Sequence, residues 1–308
     1  MNWRISILIL TVYITACKNE KVVDLATDEI SYLIEAEELK EIVNQSNIKL
    51  LDFREKDRYV EEHIAGALNV WRSDIEDHSY NYNGMMASKM QIEQLFGRLG
   101  IKTNDTLIIY DDNGLCDASR LWWILQNYDF TNVKLLHGGL TSWKAINGKL
   151  SKETPNVNEA VFKFNETSKM RYYFSKEEVQ KSLNSNVVIL DTRTVDEFSG
   201  KRQKNGASKG GRIPNSIHID WAEAVNYNSD KRIKSLKELD NIYKKLNITK
   251  KDPIILYCHS GVRSAHTTFV LTQLLGYKNV KNYDGSWVEW SYFKDLPIEK
   301  DSITLIYN

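Results

Sequence analysis

Cys258 and Arg263 are the two residues whose types and spacing best support covalent chemistry. They are separated by the four residues His259-Ser260-Gly261-Val262. The preceding run Ile254-Ile255-Leu256-Tyr257 predicts a short buried strand, and the segment from Ser264 to Gly276 has the apolar spacing and closing glycine of a helix. We therefore expect Cys258 where a strand ends, in a tight loop that leads into a helix.

A cysteine in this position is predicted to ionise readily. Successive N–H groups of a tight loop and the positive end of a helix dipole both favour negative charge. Such surroundings lower the pKa of a thiol from about 8.5 into a range of roughly 3.5–7.5, which makes it a nucleophile. The alternative is a buried cysteine that acts as a small hydrophobic residue at a strand end.

Two side chains of the loop can hold an anion beside this thiolate. His259 and Arg263 both carry N–H donors, and Arg263 can donate two hydrogen bonds to an oxyanion at any pH. The alternatives are a solvated His259 and an Arg263 that points back to brace the loop.

Length and composition indicate a globular protein of two domains. The chain has 308 residues, of which 42% are hydrophobic and 27% charged, and its formal net charge is zero. No basic tract stands out, so nucleic acid is not an expected partner.

An internal repeat organises the chain. Leu50-Leu51-Asp52-Phe53-Arg54 recurs as Ile189-Leu190-Asp191-Thr192-Arg193, and Leu107-Ile108-Ile109-Tyr110 recurs as Ile254–Tyr257. Short apolar strands alternate with amphipathic stretches in each copy, such as Ser88–Leu99 and Leu236–Leu246. This alternation predicts an α/β fold of two domains, each a parallel sheet with helices on both faces. Ligands of such folds bind at the carboxyl ends of the strands, where the second copy has Cys258 and the first has Asp111.

The N-terminus is predicted to be a targeting segment. Arg4 precedes an apolar run that is too short to span a membrane, and Ile14-Thr15-Ala16-Cys17 resembles the lipobox of bacterial lipoproteins, with Cys17 lipidated. The alternative is an ordinary signal peptide in which Cys17 is incidental. With Cys17 lipidated, Cys116 and Cys258 remain as free thiols, because they lie in different copies of the repeat.

These features divide the chain into five parts. We predict a signal peptide at 1–16, a tether at 17–29, a first domain at 30–150, a linker at 151–170 and a second domain at 171–308.

Three motifs resemble those of the tandem-domain rhodanese-like sulfurtransferases, which include thiosulfate and 3-mercaptopyruvate sulfurtransferases. The segment Val280–Trp290 matches the C-terminal signature, Tyr59–Val70 is similar to the N-terminal signature with Ala65 replacing a proline, and Asp117–Trp123 is similar to the stretch after the inactive loop. The resemblance implies a catalytically silent first domain and a nucleophile at Cys258. It also implies a persulfide intermediate, no cofactor and no metal.

The resemblance carries further site residues. The loop residues expected to bind the donor are His259, Ser260, Gly261, Val262 and Arg263, and Arg193 is a further candidate. For Arg193 and Asp191 we favour a structural role, a turn-fixing ion pair behind the site. The arginine with which the family binds donor anions aligns with Glu197, so Arg202 and Arg212 are candidate substitutes.

The loop also bears on the reaction type. Cysteine-dependent phosphatases of related architecture have one residue more between cysteine and arginine. The smaller loop here favours the transfer of a single sulfur atom.

The loop residues match neither the pattern typical of thiosulfate enzymes nor the pattern typical of mercaptopyruvate enzymes. The serine relay of mercaptopyruvate enzymes lacks its partners, because the corresponding first-domain residues are Ser73 and Tyr82-Asn83-Gly84-Met85.

We therefore expect a thiosulfate sulfurtransferase-like enzyme that moves sulfur from a small anionic donor, thiosulfate rather than 3-mercaptopyruvate, to cyanide or a thiol. The alternatives are a persulfide carrier or redox-binding module for a partner protein, and a purely structural role. We expect a monomer in the bacterial cell envelope, held at a membrane only by its lipid anchor.

Overall fold

The computed structural model describes residues 32–301 of the chain. The predicted signal peptide, tether and Cys17 lie outside the described residues.

The first domain is built on five parallel strands in the spatial order β1-β6-β5-β2-β4, and a short antiparallel pair, β3 and β7, lies beside them. Its elements are β1 (Leu33–Ile34), α1 (Ala36–Ile42), β2 (Ile48–Asp52), α2 (Lys56–Glu61), β3 (His63–Ile64), β4 (Leu68–Asn69), α3 (Lys89–Arg98), β5 (Thr106–Tyr110), α4 (Ala118–Asn127), β6 (Val133–Leu136), α5 (Gly139–Ala145) and β7 (Leu150–Ser151).

The second domain repeats the design with five parallel strands in the order β10-β9-β11-β12-β8. Its elements are β8 (Tyr173–Phe174), α6 (Lys176–Ser182), β9 (Val188–Asp191), α7 (Val195–Ser199), β10 (Ile217–His218), α8 (Leu236–Tyr243), β11 (Ile254–Tyr257), α9 (Val262–Phe269), β12 (Val280–Tyr283) and α10 (Ser286–Tyr292). A π-helical turn, Val270–Leu274, extends α9.

Alternate side chains of each central strand enter different cores, as the two-residue period of a strand requires. In β11, Ile255 and Tyr257 pack on α6 and α10, whereas Ile254 and Leu256 join a cluster that also contains Leu107 of β5. One hydrophobic core therefore lies between the two sheets and is shared by both domains. Each sheet is covered by helices, and the predicted fold class is confirmed.

Candidate active site

Cys258 lies directly after β11, at the carboxyl edge of the second sheet. The first turn of α10 fixes its main chain: the Cys258 N–H donates to Ser286 Oγ at 3.1 Å, and the Trp287 N–H donates to the Cys258 carbonyl at 3.1 Å. The loop turns at Gly261, whose φ of +74° is in the left-handed region. A Cβ atom there would lie 2.6 Å from Arg120 Nη1 and 2.6 Å from the Asp284 carbonyl oxygen, so the position requires glycine.

The surroundings of the Cys258 thiol favour the thiolate. Burial opposes ionisation, but the charge of Arg263 and hydrogen bonds from Ser264 and Ser260 outweigh it and lower the pKa of Cys258. The Ser264 hydroxyl is buried and has no other hydrogen-bond partner among residues 32–301, so it is available to the sulfur. A buried thiol with a lowered pKa differs from an inert core cysteine.

Arg263 is held by a residue that lies far away in the sequence. Its Nη1 donates to Glu197 Oε2 at 2.7 Å and its Nη2 donates to Oε1 at 2.8 Å. Burial opposes the charge of Glu197, but the hydrogen bond and charge of Arg263 prevail and lower the pKa of Glu197 to about 2. Arg263 therefore acts on the thiolate from a fixed position, with both terminal nitrogens occupied by a carboxylate.

His259 lies in the loop as a neutral hydrogen-bonding group and not as a cation. Its Nε2 lies 3.0 Å from the Asn205 carbonyl oxygen, which makes Nε2 the protonated nitrogen and leaves Nδ1 as an acceptor. Burial, aided by the charges of Lys204 and Arg263, lowers the pKa of His259 to about 4. The imidazole is consequently neutral near pH 7.

Arg193 forms an ion pair with Asp191, the structural arrangement that we favoured over a role as a donor ligand. It is buried, and its Nε and Nη2 donate to Asp191, with 2.6 Å from Nη2 to Oδ2. Nη2 also donates to the Gly211 carbonyl, and the guanidinium lies over Trp287 at 4.7 Å. These contacts occupy N–H donors and the planar face of the guanidinium, which an arginine would otherwise use to bind an anion.

Neither candidate substitute for the family arginine contacts Cys258 in the described part of the chain. Arg212 binds Asp301 at 2.7 Å and stacks on Phe198. Arg202 is exposed, and within residues 32–301 its side chain makes no hydrogen bond.

Two cations that the sequence did not reveal lie within electrostatic reach of the Cys258 thiolate. Lys204 interacts with Arg263, Glu197 and Cys258, and in the described part of the chain its Nζ has no hydrogen bond or ion pair. Arg72 comes from the first domain, where its Nε donates to Asp117 at 2.6 Å. A lysine in a polar loop and an arginine of another domain leave no periodic signal that could have identified them.

The first domain forms one wall of the loop. The main chain at Gly84 lies so close to Ser260 that a Cβ atom on Gly84 would be 2.7 Å from the Ser260 Cβ. Tyr82 donates a 2.8 Å hydrogen bond to Glu289, and the Met86 N–H donates to Asp284 at 3.0 Å.

The corresponding loop of the first domain, residues 111–118, has a similar backbone arrangement but an aspartate in place of the cysteine. We call it the silent loop, because the first domain is predicted to be catalytically silent. Asp111 and Ala118 have the same separation as Cys258 and Ala265, and Gly114 matches Gly261 with a φ of +68°. The Asp111 carboxylate fills the loop and accepts four backbone N–H hydrogen bonds of 2.9–3.0 Å, which come from Asn113, Leu115, Asp117 and Ala118.

Comparison with known proteins places this geometry in a family. The model of the rhodanese-like domain matches residues 35–146 and again residues 175–292. The chain belongs to the rhodanese-like family. The predicted membership and the two tandem domains are confirmed.

Relatives and solved structures agree with this assignment. The thiosulfate sulfurtransferase of Corynebacterium glutamicum is 34% identical over 246 residues, which cover 77% of this chain and 79% of the relative. The 3-mercaptopyruvate sulfotransferase of Escherichia coli has a similar structure, with a TM-score of 0.73 and 26% identity over 83% of this chain and 99% of that one. The anaerobic ergothioneine biosynthesis enzyme of Chlorobium limicola shares the fold, with a TM-score of 0.76 and 22% identity over 90% of this chain and 72% of that one.

Residues 32–301 contain no helix that is long and apolar enough to cross a membrane. The same residues contain no group of three or more side chains that could together bind a metal ion.

Proposed function

We propose that this rhodanese-like protein is a sulfurtransferase that carries a sulfane sulfur on Cys258 and takes it from thiosulfate in preference to 3-mercaptopyruvate. The observation that carries the proposal is the buried Cys258 thiol, whose pKa is lowered by Arg263 and by hydrogen bonds of its own loop. The sulfurtransferase class agrees with the names of the relatives.

The proposed reaction has two displacement steps. The Cys258 thiolate attacks the outer sulfur of thiosulfate, a new S–S bond forms, and the donor S–S bond breaks so that sulfite leaves with the electron pair. Cyanide or a thiolate then attacks the outer sulfur of the persulfide, and Cys258 leaves as a thiolate. No net redox partner is required, and covalent catalysis divides one transfer into two easier steps.

The charges around the loop support an anionic donor. Lys204 interacts with the thiolate and has no ion pair within residues 32–301, and thiosulfate is a dianion. Arg263 and Arg72 also act on Cys258, although the carboxylates of Glu197 and Asp117 partly neutralise them. The segment of the first domain that contacts Ser260 is the main chain at Gly84, and Tyr82–Met85 contains no carboxylate or imidazole for a serine relay. This composition favours thiosulfate over 3-mercaptopyruvate.

Cys258→Ser is the test of the reaction. We expect it to lower kcat/KM for thiocyanate formation from thiosulfate and cyanide by at least about 10³-fold, because the nucleophile is lost. Incubation with thiosulfate alone should add the mass of one sulfur atom to the wild-type protein and to Cys116→Ala, but not to Cys258→Ser. Thiosulfate should also give a higher kcat/KM than 3-mercaptopyruvate.

The same measurements separate the persulfide carrier from the enzyme. A carrier would show a stable persulfide by intact mass with negligible turnover for cyanide and small thiols. Thiocyanate formation by Cys258→Ser at the wild-type rate would exclude both the carrier and the enzyme, because each acts through Cys258.

We also propose that Cys17 is lipidated and that the protein is a monomer held at a membrane of the bacterial envelope. The support is the sequence Ile14-Thr15-Ala16-Cys17 after an apolar run. In cell fractionation, the full chain should be found with membranes and Cys17→Ser should not. An unlipidated Cys17 in the mature protein, seen by mass spectrometry, would contradict the anchor.

A further inference from the structure

Arg120 of the silent domain touches the catalytic loop of the other domain. It lies in α4, and its side chain is only 3% exposed. Its Nη2 donates to Asp284 Oδ1 at 2.5 Å and to the Gly84 carbonyl at 2.8 Å, and its Nη1 donates to the Gly261 carbonyl at 3.4 Å. One guanidinium therefore joins its own domain to two points beside Cys258.

The contact with Gly261 fixes the orientation of one peptide group. The Gly261 carbonyl also accepts hydrogen bonds of 3.2 Å from Asn282 Nδ2 and 3.3 Å from the Ala265 N–H of α9. Arg120 and Asn282 therefore reinforce the orientation that the first helical hydrogen bond gives to this carbonyl. In a trans peptide the C=O and the following N–H point in opposite directions. The Val262 N–H is consequently directed away from Arg120.

The silent loop shows where this N–H points. Leu115 follows Gly114 as Val262 follows Gly261, and both glycines have a left-handed φ. The Leu115 N–H donates a 2.9 Å hydrogen bond to Asp111 Oδ1, the anion at the centre of that loop. By the same arrangement, we expect the Val262 N–H to face the Cys258 sulfur, beside the backbone N–H groups of Ser260 and Ser264 that stabilise the thiolate.

We propose that Arg120 is a positioning residue for the reaction: it holds the Gly261 carbonyl outwards and thereby keeps the Val262 N–H aimed at the sulfur of Cys258. The inference deepens the proposed function, on which its consequences for turnover rest. Without Arg120 the Gly261 carbonyl keeps only its hydrogen bonds from Asn282 and the Ala265 N–H. The peptide group is then held less firmly and its N–H is aimed less well at the thiolate, which disfavours negative charge there. The silent domain thus contributes directly to the thiolate site.

Arg120→Lys is the discriminating variant. A lysine keeps the charge and can still pair with Asp284, but one ammonium group cannot span Asp284, Gly84 and Gly261 as the planar fork of an arginine does. We expect a melting temperature close to that of the wild type. We also expect the pKa of Cys258, measured from the pH dependence of its alkylation by iodoacetamide, to rise by about one unit.

Turnover supplies a second readout. For thiosulfate and cyanide, kcat/KM of Arg120→Lys should fall about tenfold at neutral pH and recover in part at higher pH, where the thiolate forms again. Arg98→Lys is the matched control, because Arg98 lies on the exposed face of α3 in the same domain. It should leave the alkylation profile and turnover unchanged.

A double variant shows whether a folding defect, and not the lost contact with Gly261, causes the change in the pKa of Cys258. Arg120→Met with Asp284→Asn removes both buried charges together, so no unpaired ion remains. It should raise the pKa of Cys258 as Arg120→Lys does. Alkylation profiles of both variants that match the wild type would overturn the proposal and leave Arg120 as an interdomain ion pair only. Because alkylation needs no sulfur donor, an inactive wild-type protein would refute the proposed function and still allow this test.

Discussion

At the scale of single residues, the charge beside Cys258 comes from groups that the chain brings together over long sequence separations. The loop itself provides Arg263, but its position depends on Glu197 of α7. Burial makes His259 neutral, and Lys204 and Arg72 supply cations from other segments. Sequence reasoning singled out Cys258 as the candidate nucleophile, because a strand, a glycine and a helix surround it locally. It could not identify the ion pairs, because ionic partners follow from tertiary packing.

Lys204 is predicted to distinguish donors by their charge. Lys204→Gln removes a cation whose Nζ is unpaired within the described chain, and it should raise KM for thiosulfate about fivefold, which corresponds to about 1 kcal/mol of lost attraction. Methanethiosulfonate has one negative charge fewer, so its KM should change less. Steady-state kinetics with both donors measure the effect.

Lys201→Gln is the control for this prediction, because Lys201 lies near Asp196 at the surface. Equal changes in KM for the two donors would show that Lys204 does not distinguish donors by their charge.

Glu197 is predicted to make stability depend on pH. Its folded-state pKa is about 2, below the ordinary value of 4.5, so its contribution is present above about pH 4.5 and is lost as the pH falls towards 2. At pH 6, Glu197→Gln should therefore lower the free energy of unfolding by on the order of 2–3 kcal/mol. Urea unfolding between about pH 6 and pH 2.5 should show this difference shrinking on acidification, whereas a difference independent of pH would exclude the ion pair as its source.

At the scale of elements, much of the pattern was predictable because helices and strands leave local periodicities. The stretches Ser88–Leu99 and Leu236–Leu246 were expected to be amphipathic, and they form α3 and α8 with its following turn; serine caps begin both helices. The helix after Cys258 begins at Val262, two residues before the predicted start, because Gly261 itself provides the N-cap. The π-helical turn Val270–Leu274 was not predicted, since no residue type specifies it.

In the silent loop, the carboxylate of Asp111 fills the centre of the loop and accepts hydrogen bonds from its backbone N–H groups. Asp111→Ala should therefore cost on the order of 3 kcal/mol of unfolding free energy, because four N–H donors in a buried loop lose their acceptor. Asp57→Asn is the matched control. Asp57 is exposed in the first turn of α2 and makes no hydrogen bond or ion pair within residues 32–301, so that change should cost less than about 1 kcal/mol in urea unfolding. Equal losses for the two variants would contradict the assigned role of Asp111.

At the scale of the whole molecule, the two domains share one core and cannot be treated as independent units. Trp122 of α4 packs edge-to-face on Phe269 of α9, with ring centroids 4.9 Å apart. The predicted linker contributes as well, because Phe162 and Phe164 are buried against first-domain aromatic residues such as Phe96 and Phe130. The sequence indicated two domains from the repeat. It did not show that their inner faces meet, because a hydrophobic strand face does not specify its partner.

The shared core predicts a single unfolding transition for the whole protein. Trp122→Ala should lower the free energy of unfolding by about 3–5 kcal/mol, because Trp122 is fully buried and leaves a cavity between the domains. Calorimetry should give one peak for the wild type and the variant, with equal calorimetric and van't Hoff enthalpies. Alkylation of the buried first-domain thiol Cys116 during urea unfolding should have the same midpoint as the loss of second-domain structure around Cys258. Two peaks in the wild-type protein, or separate midpoints for the two cysteines, would show that each domain unfolds alone and that the core between the sheets contributes little to their coupling.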